Sequence, residues 1–272
     1  MKIGAYQFEI SDDVLCNLNT IKRAITLASQ NDIKILAFPE CALTGYPPKN
    51  IKNSAAVNFK HCELAYKEIR NIASGNDIFV ILGSVTKNCD NYFNSALLFT
   101  PDRKMMSYHK RALWGWDADN FKFENTTGVF ELGGLKVGVR ICFEIRFPEF
   151  FRELYHHHTD LNIILFNDVS DQKDDHRYEM IKSHIQTRAV ENVTYILSVN
   201  NIFPCQTAPT MICDRSGRIL KEQPRNEEGL LVYDLQNTPL NWGEEGRKKI
   251  SDWLTAKKEE DIDKGAEKIW TS

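Results

Sequence analysis

The strongest constraint on the fold is a strand pattern followed by a helix pattern, met twice before residue 75. Residues 2 to 9 alternate as a strand does, and residues 13 to 30 place Val14, Leu15, Ile21, Ala24, Ile25 and Leu27 at amphipathic helical spacing. Residues 33 to 38 then form a short apolar run stopped by Pro39. Residues 54 to 74 return to a helical pattern through Ala56, Phe59, Leu64, Ala65, Ile69 and Ile72. Such alternation calls for a sheet with helices packed on its face.

Tight turns complicate a purely parallel sheet. Residues 78 to 85 and 92 to 99 are β-rich and separated by a polar cluster at 87 to 91, and residues 129 to 132 and 135 to 143 flank Gly133-Gly134. Two more apolar strands, 161 to 166 and 194 to 199, enclose a helical segment at 174 to 192, and a further strand pair brackets Asp214-Arg215-Ser216-Gly217. Strands that both alternate with helices and pair through hairpins predict a mixed sheet, or two sheets layered with helices.

The length of 272 residues suits one large domain. Residues 243 to 272 hold many charges and few apolar side chains, which predicts a polar helical tail lying on the domain or on a partner subunit through Ile250, Trp253 and Leu254. The formal charge of -3 and the lack of a basic block argue against nucleic acid as a partner. No apolar run approaches membrane-spanning length, and the first residues lack a signal-peptide pattern. Seven scattered cysteines with no Cys-x-x-Cys pair point to a reducing, cytoplasmic setting and away from a structural zinc site. The run His156-His157-His158 reads as a solvated helix end, because adjacent helical side chains diverge, and His176 and His184 lack the spacing of a helical zinc pair.

Three positions carry chemistry. Cys142 lies between the strand ending at Ile141 and a helix start marked by Pro148 and Glu149, where free N–H groups and a positive helix end favour thiolate and can hold an oxyanion. Glu40 follows Pro39 at a strand's carboxyl edge, where α/β folds place ligands, and a carboxylate there can take a thiol proton. Lys110 ends another strand and can stabilise negative charge on a tetrahedral intermediate. Each has a structural alternative: a buried cysteine, a solvated Pro-Glu corner, a surface lysine.

Together with their flanks, these residues resemble a known family. The segments Phe38-Pro39-Glu40-Cys41-Ala42-Leu43-Thr44-Gly45-Tyr46, Tyr108-His109-Lys110-Arg111-Ala112-Leu113 and Ile141-Cys142-Phe143-Glu144-Ile145-Arg146-Phe147-Pro148-Glu149 are similar to the glutamate, lysine and cysteine blocks of the nitrilase (carbon-nitrogen hydrolase) superfamily. Residues 185 to 195 are similar to its Arg-Ala-x-Glu-Asn helix. The short form, with no long insertion, is similar to the amidase and carbamoylase branches. The resemblance implies a four-layer αββα sandwich of two mixed sheets flanked by helices, spanning residues 1 to 242. It further implies a homodimer or larger homo-oligomer, and hydrolysis of a non-peptide carbon-nitrogen bond with neither metal nor cofactor.

By the same resemblance Cys142 attacks an amide carbon to form a thioester, Glu40 moves the protons, and Lys110 with the N–H of Phe143 holds the oxyanion. An accessory carboxylate is expected in the loop after Lys110, with Asp119 and Glu124 as candidates and Glu124 favoured for its residue type. Trp114, Trp116 and Tyr46 are candidate pocket residues or simple packing, and Glu144 with Arg146 is expected to brace the cysteine turn. The substrate is expected to be a small linear amide, with a nitrile or an N-carbamoyl amine as alternatives. A Cys-His hydrolase and a non-enzymatic binding module are the competing classes.

Overall fold

The computed structural model describes residues 1–236 and 238–256. In chain order its first half runs β1 (Lys2–Gln7), α1 (Val14–Gln30), β2 (Ile35–Ala37), α2 (Phe59–Gly75), β3 (Phe79–Asn88), β4 (Asn91–Phe99), β5 (Met105–His109) and α3 (Trp116–Asn120). There follow β6 (Val129–Leu132), β7 (Leu135–Ile141), α4 (Pro148–His156), β8 (Leu161–Phe166), β9 (Val169–Ser170) and α5 (Asp175–Asn192). The chain closes with β10 (Tyr195–Asn200), β11 (Cys205–Gln206), β12 (Met211–Cys213), β13 (Ile219–Glu222), β14 (Gly229–Asp234) and α6 (Trp242–Ala256).

Two six-stranded mixed sheets result, in the orders β14-β1-β2-β3-β4-β5 and β13-β12-β10-β8-β7-β6. β1, β2 and β3 are parallel, as are β7, β8 and β10, and the hairpin partners are antiparallel. Alternation along each strand separates the cores. In β2, Ile35 and Ala37 face the second sheet, while Leu36, and Phe38 just past the strand, face α1 and α2 with Ile21, Ile25, Ala65 and Ile69. In β8, Leu161, Ile163 and Leu165 meet the first sheet, while Ile164 and Phe166 pack on Phe151 of α4 and Ile181 and Ile185 of α5. Each such fully buried side chain contributes roughly 1.5–3 kcal/mol. Three apolar layers between four structural layers make the αββα sandwich.

Local signals set most element ends. Asp13 caps α1, accepting from the N–H of Leu15 at 2.7 Å, and Asp174 caps α5 through the N–H of Arg177 at 2.8 Å. The helix expected over 54 to 74 begins only at Phe59, because Asn58 caps it through His61 N and Ser54–Ala56 forms a separate 3-10 turn. The hairpin turn expected over 87 to 91 shortens to Cys89 and Asp90, with Lys87 paired to Tyr92 inside the ladder. β14, unanticipated, pairs with all of β1 from Lys2↔Asp234 to Gln7↔Gly229.

Part of the polar tail is α6, where Tyr155 Oη bonds Asp252 at 2.5 Å and Ser216 Oγ bonds Glu244 at 3.1 Å. The rest of the expected tail, residues 257 to 272, lies outside the described residues.

Candidate active site

β2, β5, β7 and β8 all end at one edge of the double sheet. Glu40 follows β2, Lys110 follows β5, Cys142 follows β7 and Asn167 follows β8. The convergence is visible in the bonds of Glu40, two within its own sheet and one across to the other. Glu40 Oε1 accepts from Lys110 Nζ at 2.8 Å and from Asn94 Nδ2 at 2.7 Å, and its Oε2 accepts from the peptide N–H of Asn167 at 2.9 Å. Gly83 lets the Glu40 backbone approach β3 so closely. A Cβ on residue 83 would lie 2.1 Å from the Pro39 carbonyl oxygen and 2.6 Å from Glu40 Cα.

Glu40 and Lys110 are each 1% exposed, so their charges interact in a dry setting. Burial raises the Glu40 carboxyl above its ordinary value of 4.5, and the nearby Lys110 ammonium only partly offsets this. Burial pulls Lys110 down, but the Glu40 and Asp117 carboxylates outweigh it and hold the ammonium well above its ordinary range. Burial pushes the Cys142 thiol well up, and the Glu40 carboxylate adds to the effect. The pair at rest is therefore a neutral thiol facing a carboxylate with heightened proton affinity. This differs from the expected thiolate at a helix start. After Cys142 the chain makes a 3-10 turn, Cys142–Arg146, and α4 opens only at Pro148.

Cys142 itself has φ 47°, in the left-handed region that a side chain enters at a cost of about 1–3 kcal/mol. The buried Glu144 carboxylate holds that bend. It accepts from Ile141 N at 2.7 Å, Arg111 N at 2.8 Å and Tyr108 Oη at 2.6 Å, tying the cysteine turn to the lysine segment. From the other side, Arg188 of the Arg-Ala-x-Glu-Asn helix donates to the Ile145 carbonyl at 3.2 Å.

Lys110, Cys142 and Phe143 line one cavity of about 440 Å³, together with Tyr46, Trp114 and Trp116. The two tryptophans flank its mouth, 79% and 55% exposed. A second cavity, about 460 Å³, beside Leu135, Tyr155, Asn192 and Arg215, shares no lining residue with the first and contains no cysteine. Among the described residues, no group of three or more His, Cys, Asp or Glu side chains could hold a metal ion. None of the described helices is long and apolar enough to cross a membrane.

Two expectations need correction. Neither Asp119 nor Glu124 reaches the site: both are exposed, and Glu124 lies 3.7 Å from His109 Nε2. The carboxylate beside Lys110 is Asp117, at 2.6 Å, because the one-turn helix α3 directs residue 117 inward and residue 119 outward. Tyr46 Oη donates to the same Asp117 at 2.8 Å. Arg146 does not brace the turn with Glu144; it lines the cavity, its Nη1 3.1 Å from Met180 Sδ and 3.3 Å from His184 Nε2.

Asn94, Asn167, Lys49, Asp168 and Arg177 were missed entirely. For Asn167 and Asp168 a signal existed, since two polar residues directly follow a wholly apolar strand at the sheet edge that binds ligands. Asn94, inside a strand, carried none.

Known proteins with the same pattern are numerous. The chain is 26% identical over 233 residues to an (R)-stereoselective amidase from Pseudomonas sp, covering 84% of this chain and 82% of that protein. It is 29% identical over 217 residues to the 2-oxoglutaramate amidase of Bacillus subtilis (strain 168), covering 75% and 79%. Among solved structures, a mutant of the Nesterenkonia AN1 amidase from the nitrilase superfamily superposes with a TM-score of 0.78 at 22% identity, over 96% of this chain and 95% of that one. That likeness shows the fold. The family model for carbon-nitrogen hydrolases matches residues 2–240, nearly the whole of both sheets and all of the cavity described above, and the chain belongs to that family.

Proposed function

We propose that the protein is a cysteine-dependent amidase that hydrolyses a small linear carboxamide to a carboxylic acid and ammonia, with Glu40, Lys110 and Cys142 as its catalytic residues. The observation that carries this reading is a thiol, Cys142, and a buried ammonium, Lys110, lining one cavity, with the buried Glu40 carboxylate behind them bonded to the lining residues Lys110 and Asn167.

Cys142 Sγ attacks the amide carbon while Glu40 takes the thiol proton, so the sulfur becomes nucleophilic only as it reacts. Negative charge moves to the amide oxygen, where Lys110 Nζ and the Phe143 N–H hold it; one such donor is worth roughly 10²–10³ in rate. Glu40 returns its proton to the leaving nitrogen, and ammonia departs as the carbon-nitrogen bond breaks. Water then attacks the thioester with Glu40 as base, releasing the acid and restoring the thiol. Asp117 and Tyr46 position Lys110 throughout, and Trp114 and Trp116 roof the substrate.

The names of two relatives, (R)-stereoselective amidase and 2-oxoglutaramate amidase, favour an amide over a nitrile as substrate. A nitrilase is the second reading, supported by a 30% identical match over 149 residues to a nitrilase of Pyrococcus abyssi (strain GE5 / Orsay). We take residues 1–242 as the catalytic unit, acting in the cytoplasm as a homodimer or larger homo-oligomer. The test is ammonia release by wild type and Cys142→Ala across linear amides, N-carbamoyl amines and nitriles. Release from amides that disappears in Cys142→Ala supports the reading; release that survives the substitution refutes it.

A further inference from the structure

Asn94 grips both buried charges of the site from behind. It lies within β4, is fully buried and does not line the cavity. Its carbonyl oxygen accepts the peptide N–H of Lys110 at 2.8 Å, and its side-chain Nδ2 donates to Glu40 Oε1 at 2.7 Å. The orientation of that amide is set from its other end, where Cys41 Sγ donates to Oδ1 at 3.7 Å. Burial, with the Glu40 carboxylate beside it, holds the Cys41 thiol well above its ordinary range. The thiol therefore stays protonated and donates to Oδ1, which leaves Nδ2 for the carboxylate.

This bond divides the two oxygens of Glu40. An ionised carboxylate offers two lone pairs on each oxygen. Both of those on Oε1 are occupied, by Lys110 Nζ and Asn94 Nδ2. Among the described residues Oε2 accepts one bond, from the Asn167 N–H at 2.9 Å, and so keeps one lone pair open. We propose that Asn94 is a positioning residue for the reaction, which by filling Oε1 directs the Cys142 proton to Oε2. This rests on the amidase reading above. The S–H bond of Cys142 breaks, its electron pair forms the carbon-sulfur bond and its proton goes to Oε2; the same oxygen later gives that proton to the leaving nitrogen. Among the described residues, the titratable groups around Glu40 are Lys110, Asp117, Cys41, Cys142 and Tyr46. Burial raises the Glu40 carboxyl, Lys110 opposes it, Asp117 adds to it, and the Asn94 bond works on the side of Lys110. Asn94 carries no charge, so its removal alters the proton affinity of Glu40 without breaking an ion pair.

The experiment follows kcat and kcat/KM against pH in wild type and Asn94→Leu, with butyramide or the linear amide turned over fastest in the test above. Leucine keeps the branched outline of the side chain but neither donates nor accepts, and circular dichroism confirms that the variant folds. Loss of the donor should move the acid limb of kcat/KM upward by about one to two pH units, the size of a hydrogen bond to a charged group. On the plateau kcat should fall about tenfold, with KM little changed because Asn94 does not line the cavity. Asn94→Asp sets a second carboxyl group against Oε1 that must share a proton with it, so its limb should move the same way, and it serves if Asn94→Leu does not fold. A limb that stays in place or moves down in a folded variant overturns the proposal and leaves the amidase standing, whatever happens to stability. If wild type turns over no amide, the amidase reading fails, and Glu40 is titrated directly by pH-difference infrared spectroscopy, with Glu40→Gln identifying its carboxyl band. A midpoint higher in Asn94→Leu than in wild type upholds the hold of Asn94 on the carboxylate; an equal or lower one overturns it.

Discussion

The carboxylate of Glu144 accepts the peptide N–H of Arg111 at 2.8 Å, joining the turn that begins at Cys142 to the residue after the buried lysine. With Ile141 N and Tyr108 Oη it has three donors and no exposure, so a neutral acceptor of the same shape cannot replace it. Glu144→Gln would point an amide N–H₂ at donors and leave at least one buried group unpaired. A stability loss of about 2–4 kcal/mol is expected by urea denaturation, together with a lower kcat. An unchanged midpoint and rate would show that Glu144 does not hold the elbow.

Asp117, not the acids further along its loop, should control Lys110. Asp117→Asn keeps an acceptor for Tyr46 but removes one of the two carboxylates beside the ammonium. Its kcat should fall at least about tenfold, equivalent to about 1.4 kcal/mol at the transition state. Asp119→Asn and Glu124→Gln alter exposed groups and should change stability by less than about 0.5 kcal/mol. Steady-state kinetics on the three variants distinguishes them; a loss in either of the latter two equal to that in Asp117→Asn counts against the assignment.

Gly83→Ala tests the approach of strand and catalytic turn. The new methyl meets rigid backbone at Pro39, Glu40 and Cys41, so relief requires moving Glu40 itself. Overpacking of this kind costs roughly 1–3 kcal/mol. The variant should remain folded by circular dichroism while losing most of its turnover, because Glu40 is displaced from Asn167 N and Lys110.

The raised Glu40 carboxyl has two consequences with opposite readouts. Protonated Glu40 cannot accept the thiol proton, so the acid limb of kcat/KM should have its midpoint above the ordinary glutamate value of 4.5. For stability the sign runs the other way from a usual acid. Native Glu40 binds its proton more tightly than the unfolded chain does, so its favourable contribution exists below 4.5 and is lost as pH rises through the raised native value. Above that raised value the ionised group is a cost, and there Glu40→Gln should raise the melting temperature while abolishing turnover; about 2–4 °C is expected per kcal/mol. A melting temperature that falls would mean that the Lys110 pairing outweighs the desolvation of Glu40.

Periodicity and turn chemistry act over a few residues, so they could be read along the chain. The apolar runs of β2 and β8 and the Gly133-Gly134 hairpin all appear where local preference puts them. The glutamate, lysine and cysteine blocks were legible for a related reason: each ends a strand in its own short segment, and that ending is a local property. Helix α2 starts later than its apolar spacing suggests because Asn58 offers a cap that the hydrophobic pattern does not weigh.

What the tertiary structure decided is which side chains meet. Asp117 and Asp119 are two residues apart on the same turn, and only the packing of α3 against β4 sends one to Lys110 and the other to solvent. Asn94 and Asn167 reach Glu40 from 54 and 127 residues away in sequence, and Arg146 turns from its expected partner Glu144 into the cavity. Such choices depend on how two sheets register across a shared core, and that register is the sum of many long-range contacts, none of which leaves a mark in the neighbouring sequence.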